Sequence, residues 1–399
     1  MGGKFTVSQS IILYRKYKPG AIFTGSDILP PGFVLITTEN GVVDAIVPEV
    51  NAGDDIIELD GILSPGFINA HCHIELSHLK GVIPTGTGLV NFVQQVISKR
   101  EGVNVGSGEY TAFKRQAMQS ATDELYHAGT VAIGDICNTS DSLFIKQKSP
   151  IYWHNFIEVS GFVDATAESR LKAAEEIKTT FQNNVAPGNQ SLSPHAPYSV
   201  SKKLFELLNE QTAGQLVTIH NQETSAENEL YQFKSGEFLE LYTNLGIQID
   251  HFLPTGKSSM QSWVPYFTNK QSIIAVHNTF TQPYDIPYAT VPITYCICIN
   301  ANLYIENKLP PVEMLMKNNC FIVLGTDSYA SNWNLNIMEE IKTIQKNFPA
   351  IPLQNILQWA TINGAKTLGI QDQYGSFEKG KKPGIVLINT VKGSARLLK

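Results

Sequence analysis

His71, Cys72 and His73 stand at the end of an apolar run. In an extended strand alternate side chains share a face, so both imidazoles point one way and Cys72 the other. Two neutral imidazoles on one face make half of a divalent-metal site. His220 follows the apolar run 216–219, and Asp327 follows the run 321–324 after Gly325 and Thr326; each can supply one further ligand. Three nitrogens and one carboxylate oxygen, with a position left for water, form the donor set of a catalytic rather than a structural site. The plainer reading has these residues merely capping strand ends, and four of them converging weighs against it.

Glu223 lies three residues after His220, in His220-Asn221-Gln222-Glu223, and is placed to shuttle a proton from water to a leaving group. His277 ends another apolar run and either orients the attacking water or packs as a core histidine. His195, in Ser193-Pro194-His195-Ala196-Pro197-Tyr198, is held by two prolines and suits substrate contact; a fifth ligand or a plain loop residue are the alternatives. Asn300 and Asn302 are read as ending the seventh strand, where they touch substrate or cap the strand. Glu158 could bridge a second metal, but the fourth-strand run has no lysine for a two-metal centre. Cys296-x-Cys298 reads as strand packing, and His78, His127, His154 and His251 have no constellation around them.

These residues need strands to carry them. From Ile62 onward, eight short apolar runs alternate with helical stretches and end near His71, Asp135, Glu158, His195, His220, His277, Asn300 and Asp327. Phe113, Met118, Ala121 and Leu125 before Gly129, and Ile337, Met338, Ile341 and Ile344, have helical spacing. Strands alternating with helices pair in parallel, and eight repeats without a glycine-rich nucleotide fingerprint favour an α/β fold of the (β/α)8 TIM-barrel type. Before it, the runs 33–38 and 42–47 flank Asn40-Gly41 as a hairpin with a type I′ turn. The tail returns to strand character over 384–389. We therefore expect a small β-sandwich domain from both chain ends (1–62 plus 370–399) and a barrel over 63–369.

Composition narrows the function. The 399 residues are 43% hydrophobic and 17% charged, which disfavours disorder, and they contain no long apolar run. Thirty basic against 36 acidic residues leave a net charge of −6 with no basic stripe, so the expected partner is a small-molecule substrate, with no nucleic acid and no membrane. Five scattered cysteines and no signal-peptide pattern in the first 30 residues suggest a cytoplasmic protein.

At these residues the chain resembles the amidohydrolase superfamily, in the branch of cytosine, guanine, adenosylhomocysteine and aminofutalosine deaminases and the chlorohydrolases. The resemblance rests on the segments 65–73, 193–198, 220–223, 276–277 and 324–332. It implies one divalent ion, Zn2+ or Fe2+, on His71, His73, His220 and Asp327. It also implies catalytic roles for Glu223, His277 and Asp327, with His195 near the substrate. The segment 74–81 and the 57 residues from His220 to His277 look most similar to the aminofutalosine-deaminase-like group. Asn278 stands where a small residue or cysteine is commoner, which bears on substrate identity, and 382–386 lacks the aspartate usual in the closing sheet. The implied reaction is hydrolytic deamination of an aminated heterocycle, such as an adenine nucleoside, in a homo-oligomer, a homodimer by expectation. Alternatives are cyclic-amide hydrolysis of the imidazolonepropionase kind, chlorohydrolysis, or a non-catalytic oligomeric scaffold.

Overall fold

The computed structural model describes residues 13–100, 108–185 and 190–398. The first strands are β1 (Tyr14–Phe23), β2 (Ile28–Leu29), β3 (Phe33–Thr38), β4 (Val43–Pro48) and β5 (Ile56–Pro65). The parallel strands follow as β6 (Phe67–Cys72), β7 (Thr130–Cys137), β8 (Tyr152–Val159), β9 (Gln190–Pro194), β10 (Leu216–Asn221), β11 (Ser272–His277), β12 (Ile293–Ile297) and β13 (Phe321–Leu324). The last two are β14 (Ile385–Asn389) and β15 (Ser394–Leu397).

β3 and β4 form the expected hairpin, but its turn is of another type. Only Gly41 is left-handed (φ 80°), and its N–H donates to the Thr38 carbonyl at 2.9 Å, while Glu39 and Asn40 keep negative φ. A type I′ turn needs positive φ at both central residues; this is the three-residue loop ending in a left-handed glycine. The expected return of the tail is observed: β14 pairs antiparallel with β5, Ile388 opposite Ile62. Among the described residues the expected sandwich takes the form of one seven-stranded mixed sheet, ordered β15-β14-β5-β1-β3-β4 with β2 on β1. It buries Tyr17, Ile22, Leu35, Leu63, Phe377 and Leu387 on one apolar cluster. β5 runs on to Pro65, past the expected boundary at 62, and enters β6 through Gly66, where a Cβ would meet the Val131 methyls at 2.4 and 2.5 Å.

The remaining strands make two four-stranded parallel sheets, β6-β7-β8-β9 and β10-β11-β12-β13. Most of their residues are buried, on both faces, as strands covered by helices must be. The two sheets are tied at both edges. The His220 N–H donates to the His195 carbonyl at 2.9 Å, and the Asp327 N–H donates to the His71 carbonyl at 3.1 Å, with Cys72 and Asp327 bridged in parallel. Helices cover the outside. Ile337–Asn347 starts on an Asn336 side chain that accepts from the Met338 N–H at 2.9 Å and buries Ile337, Met338, Ile341 and Ile344, as its spacing predicts. In Gly108–His127, Met118, Ala121 and Leu125 are buried, whereas Phe113 is exposed, so the buried stripe starts later than expected. No helix among the described residues is long and apolar enough to cross a membrane.

Candidate active site

The polar residues gather where the parallel strands end. His71 is the penultimate residue of β6, His220 of β10, and His277 is the last of β11; Asp327 lies three residues beyond β13. Gly325 makes the approach feasible, since a Cβ there would lie 2.9 Å from His71 Cβ and 2.8 Å from Cys296 Sγ. Asp327 then turns through a left-handed φ of 58° that aims its carboxylate back at the histidines. His71 and His73 converge as expected, with ring centroids 4.8 Å apart.

The donor atoms are close. His73 Nε2 lies 3.1 Å from His71 Nε2, 3.3 Å from His220 Nε2 and 3.3 Å from Asp327 Oδ1, and His71 Nε2 is 3.6 Å from the same oxygen. A tetrahedron with ligand distances of about 2.0–2.1 Å has edges of about 3.3–3.4 Å, so this spacing fits four donors around one ion. Donors of His71, His220, His277 and Asp327 also lie within 4.8 Å of one another, which makes His277 a fifth group at the same centre. The shorter distances belong to His73, while His277 Nε2 faces Glu223 Oε1 at 3.6 Å.

Hydrogen bonds assign the rings. His220 Nδ1–H donates to the His195 carbonyl at 2.7 Å and His277 Nδ1–H to Asn302 Oδ1 at 2.8 Å, leaving each Nε2 lone pair free. Burial pushes His73 and His277 down to about 4 and His220 well below its usual value, so the rings are neutral donors at pH 7. Burial would raise Asp327, but its hydrogen bond with His71 and, once the rings protonate at low pH, the charges of His73 and His277 hold its carboxyl well below the usual range. Ser331 Oγ donates to Asp327 Oδ2 at 2.5 Å. Glu223 goes the other way: burial first, then Asp327, Glu306 and Glu227, push it well above the usual carboxyl range.

The turn that carries Glu223 is fixed by groups the sequence reading passed over. The Gln222 N–H donates to Glu227 Oε1 at 2.9 Å, Gln222 Nε2 to Asp285 at 3.0 Å, and Trp263 Nε1 to Asn221 Oδ1 at 2.8 Å. Asn278, expected to bear on substrate, is turned into the protein: Nδ2 donates to the Ala275 carbonyl at 2.8 Å, and Oδ1 accepts from Asn221 at 3.0 Å. Asn300 and Asn302 do not end the seventh strand. β12 stops at Ile297, and both lie in the helix Ile299–Glu306. Asn300 is spent on Glu340 and Thr343, and Asn302 brackets His277 from both its Nδ1 and its carbonyl. His195 Nδ1–H donates to Ser199 Oγ at 2.6 Å, which frees its Nε2.

Other strand-end residues point elsewhere. Asp135 is fully buried against Lys146 Nζ at 2.5 Å, and its other oxygen accepts from the Ile74 N–H at 2.8 Å, which anchors the backbone just after His73. Cys296 and Cys298 are buried free thiols packed among apolar side chains, as expected. His78, His127, His154 and His251 make single-partner or backbone contacts away from the centre.

The sequence profile of the amidohydrolase family matches residues 62–397, so the chain belongs to that family of metal-dependent hydrolases acting on carbon–nitrogen bonds. It is 28% identical over 365 residues to a 5′-deoxyadenosine deaminase of Methanococcus maripaludis, covering 85% of this chain and 78% of that one. It is 27% identical over 372 residues to a 5-methylthioadenosine/S-adenosylhomocysteine deaminase of Thermoanaerobacter pseudethanolicus, covering 88% and 78%. Among solved structures, its fold matches Helicobacter pylori aminofutalosine deaminase in complex with methylthio-coformycin. That match has a TM-score of 0.77 at 19% identity and covers 94% of this chain and 92% of that one. An adenosine deaminase of Xanthomonas campestris with bound zinc matches with a TM-score of 0.71 at 22% identity, covering 94% and 84%.

Proposed function

We propose that the chain is a hydrolytic deaminase of an adenine nucleoside, with His71, His73, His220 and Asp327 holding one divalent ion. The observation that carries this is the cluster of three ring nitrogens and one carboxylate oxygen at tetrahedral-edge spacing, with Glu223 and His277 beside it. Nitrogen-rich four-donor sets favour Zn2+, with Fe2+ as the alternative. The hydrogen bonds at both sheet edges support closure of the eight parallel strands into a (β/α)8 barrel over about 63–369, whose chemistry belongs at the strands' C-terminal ends.

An ion held there supplies Lewis acidity and lowers the pKa of water towards about 7. The residues handle the protons. Glu223, kept neutral by burial, protonates the ring nitrogen beside the attacked carbon, takes a proton from the water, and delivers it to the departing amine. His277, its tautomer fixed by Asn302, presents Nε2 to orient the water from one side, and Asp327 does so from the other. His195 offers Nε2 as an acceptor to the substrate. Water adds and ammonia leaves, so an amino-substituted ring becomes the oxo compound.

The test is ammonia release, with identification of the oxo product, from adenosine, 5′-deoxyadenosine, methylthioadenosine, guanine and cytosine. Turnover of at least one adenine nucleoside is the expected result. A fully metal-loaded protein that releases no ammonia from any adenine nucleoside would overturn the reading and favour hydrolysis of a cyclic amide or a chlorinated ring.

A further inference from the structure

Gln222, which precedes Glu223 in the chain, is fully buried and held at a left-handed φ of 45°. All of its polar atoms are bonded. The N–H donates to Glu227 Oε1 at 2.9 Å, and the carbonyl accepts from the Phe280 N–H at 2.9 Å. Nε2 donates to Asp285 Oδ2 at 3.0 Å and to Asn228 Oδ1 at 3.2 Å, while Oε1 accepts from Thr281 Oγ1 at 2.7 Å. Turning the amide over would set Oε1 against two acceptor oxygens, so a single orientation is enforced.

Asp285 is committed in the same way. It is fully buried; Oδ1 accepts from Ser258 Oγ at 2.5 Å, and Oδ2 accepts from Gln222 and from the Gln282 N–H at 2.9 Å. None of these partners is a cation, so the carboxylate is kept by geometry alone, and that geometry fixes Gln222. The same segment closes on the catalytic histidine. The Asn278 N–H donates to the Asn221 carbonyl at 3.0 Å, beside the bond from Phe280 to Gln222, which laces the turn before Glu223 to the turn after His277. His277 and Asn278 are left-handed as well, at φ 73° and 57°. Such conformations are costly without glycine and persist only where the surroundings over-determine them. Across this lacing His277 Nε2 faces Glu223 Oε1 at 3.6 Å.

We infer that Gln222 and Asp285 are positioning residues that set Glu223 against His277, so that proton transfer depends on a carboxylate bonded to neither of them. The inference rests on the deaminase reading given above and on the role it gives Glu223.

The experiment measures kcat, KM and metal content with an adenine nucleoside for the wild type, Gln222→Met, Asp285→Asn, Thr281→Val, Glu223→Gln and the double variant Gln222→Met/Glu223→Gln. Gln222→Met removes every side-chain bond at similar length, and Asp285→Asn sets an amide N–H against a donor. Each should lower kcat about 10- to 100-fold, the cost of a small misplacement of reacting groups, with KM within about threefold and metal unchanged. In the Glu223→Gln background, Gln222→Met should lower kcat less than about threefold, because the group it positions no longer transfers a proton. Thr281→Val, the mildest change, should lower kcat about threefold and decides the matter if the other two do not fold. Its wild-type kcat would then overturn the inference. A full further loss in the Glu223→Gln background, a raised KM at normal kcat, or loss of metal would overturn it too, while leaving the deaminase reading standing. No ammonia from any adenine nucleoside with the wild type would overturn that reading and the inference with it.

Discussion

Asn302→Leu removes the acceptor that fixes the His277 tautomer while keeping the number and branching of the side-chain heavy atoms. In the native protein Asn302 Oδ1 accepts from His277 Nδ1–H at 2.8 Å, and Asn302 Nδ2 donates to the His277 carbonyl at 3.3 Å. His277 itself is held at a left-handed φ of 73°, a conformation costing about 1–3 kcal/mol that survives only while its surroundings hold it. Losing the acceptor leaves a buried N–H unpaired at about 1–3 kcal/mol, so unfolding free energy should fall by about 2 kcal/mol. Part of the same loss appears in the transition state because Nε2 no longer faces Glu223 in one tautomer. At 1.4 kcal/mol per tenfold, kcat/KM should fall about 10- to 100-fold with metal content unchanged. Asn302→Asp restores the acceptor and should recover most of this activity. Its charge favours the imidazolium, so the ring, pushed down to about 4 by burial in the native protein, titrates at higher pH. Activity in Asn302→Asp is then lost earlier as pH falls. Steady-state kinetics against pH and denaturant melts measure all of this, and wild-type kcat/KM in Asn302→Leu would refute the role given to His277.

Glu223→Gln should retain its metal and lower kcat at least about 100-fold, read by ammonia release; near-normal turnover would remove Glu223 from proton transfer. Lys146→Met leaves Asp135 charged and fully buried, and should destabilise the fold by about 3–5 kcal/mol in denaturant titration, with most of that recovered by adding Asp135→Asn. Glu227 is buried, with one oxygen unpaired, and burial pushes its carboxyl up to about 7 from 4.5. The folded protein therefore binds more protons than the unfolded chain between those values. Its contribution is complete below about pH 4.5 and is lost as pH rises through about 7. Glu227→Gln should flatten that decline, adding about 1–3 kcal/mol at pH 8; an unchanged slope of stability against pH would count against it.

Much of the centre was legible because its signal is local. His71 and His73 lie two apart in an extended segment, and each other donor follows a short buried run, so period and spacing alone brought His73, His220 and Asp327 towards His71. The return of the tail to the first sheet was legible from one apolar run after a turn-rich stretch. What spacing did not convey is who holds whom. Asn300 and Asn302 sit just after an apolar run, like the true strand-end residues, but the strand stops at Ile297 and a helix begins at once. Their partners, Glu340 and His277, lie 40 and 25 residues away in sequence. The Lys146–Asp135 pair and the Asn278–Asn221 contact are likewise products of the folded arrangement rather than of any run of residues. Asn40-Gly41 misled for a simpler reason: Asn-Gly is compatible with a type I′ turn, yet one left-handed glycine after Glu39-Asn40 satisfies the same hairpin with less strain.

The most direct test follows metal content and ammonia release from an adenine nucleoside on one sample, first as purified, then after chelation, then through stepwise return of Zn2+. One ion per chain, with activity abolished by chelation and restored in proportion to the ion bound, is the predicted result. Undiminished ammonia release from the chelated protein, or an ion fully bound in His71→Ala, would contradict a metal centre built on these residues.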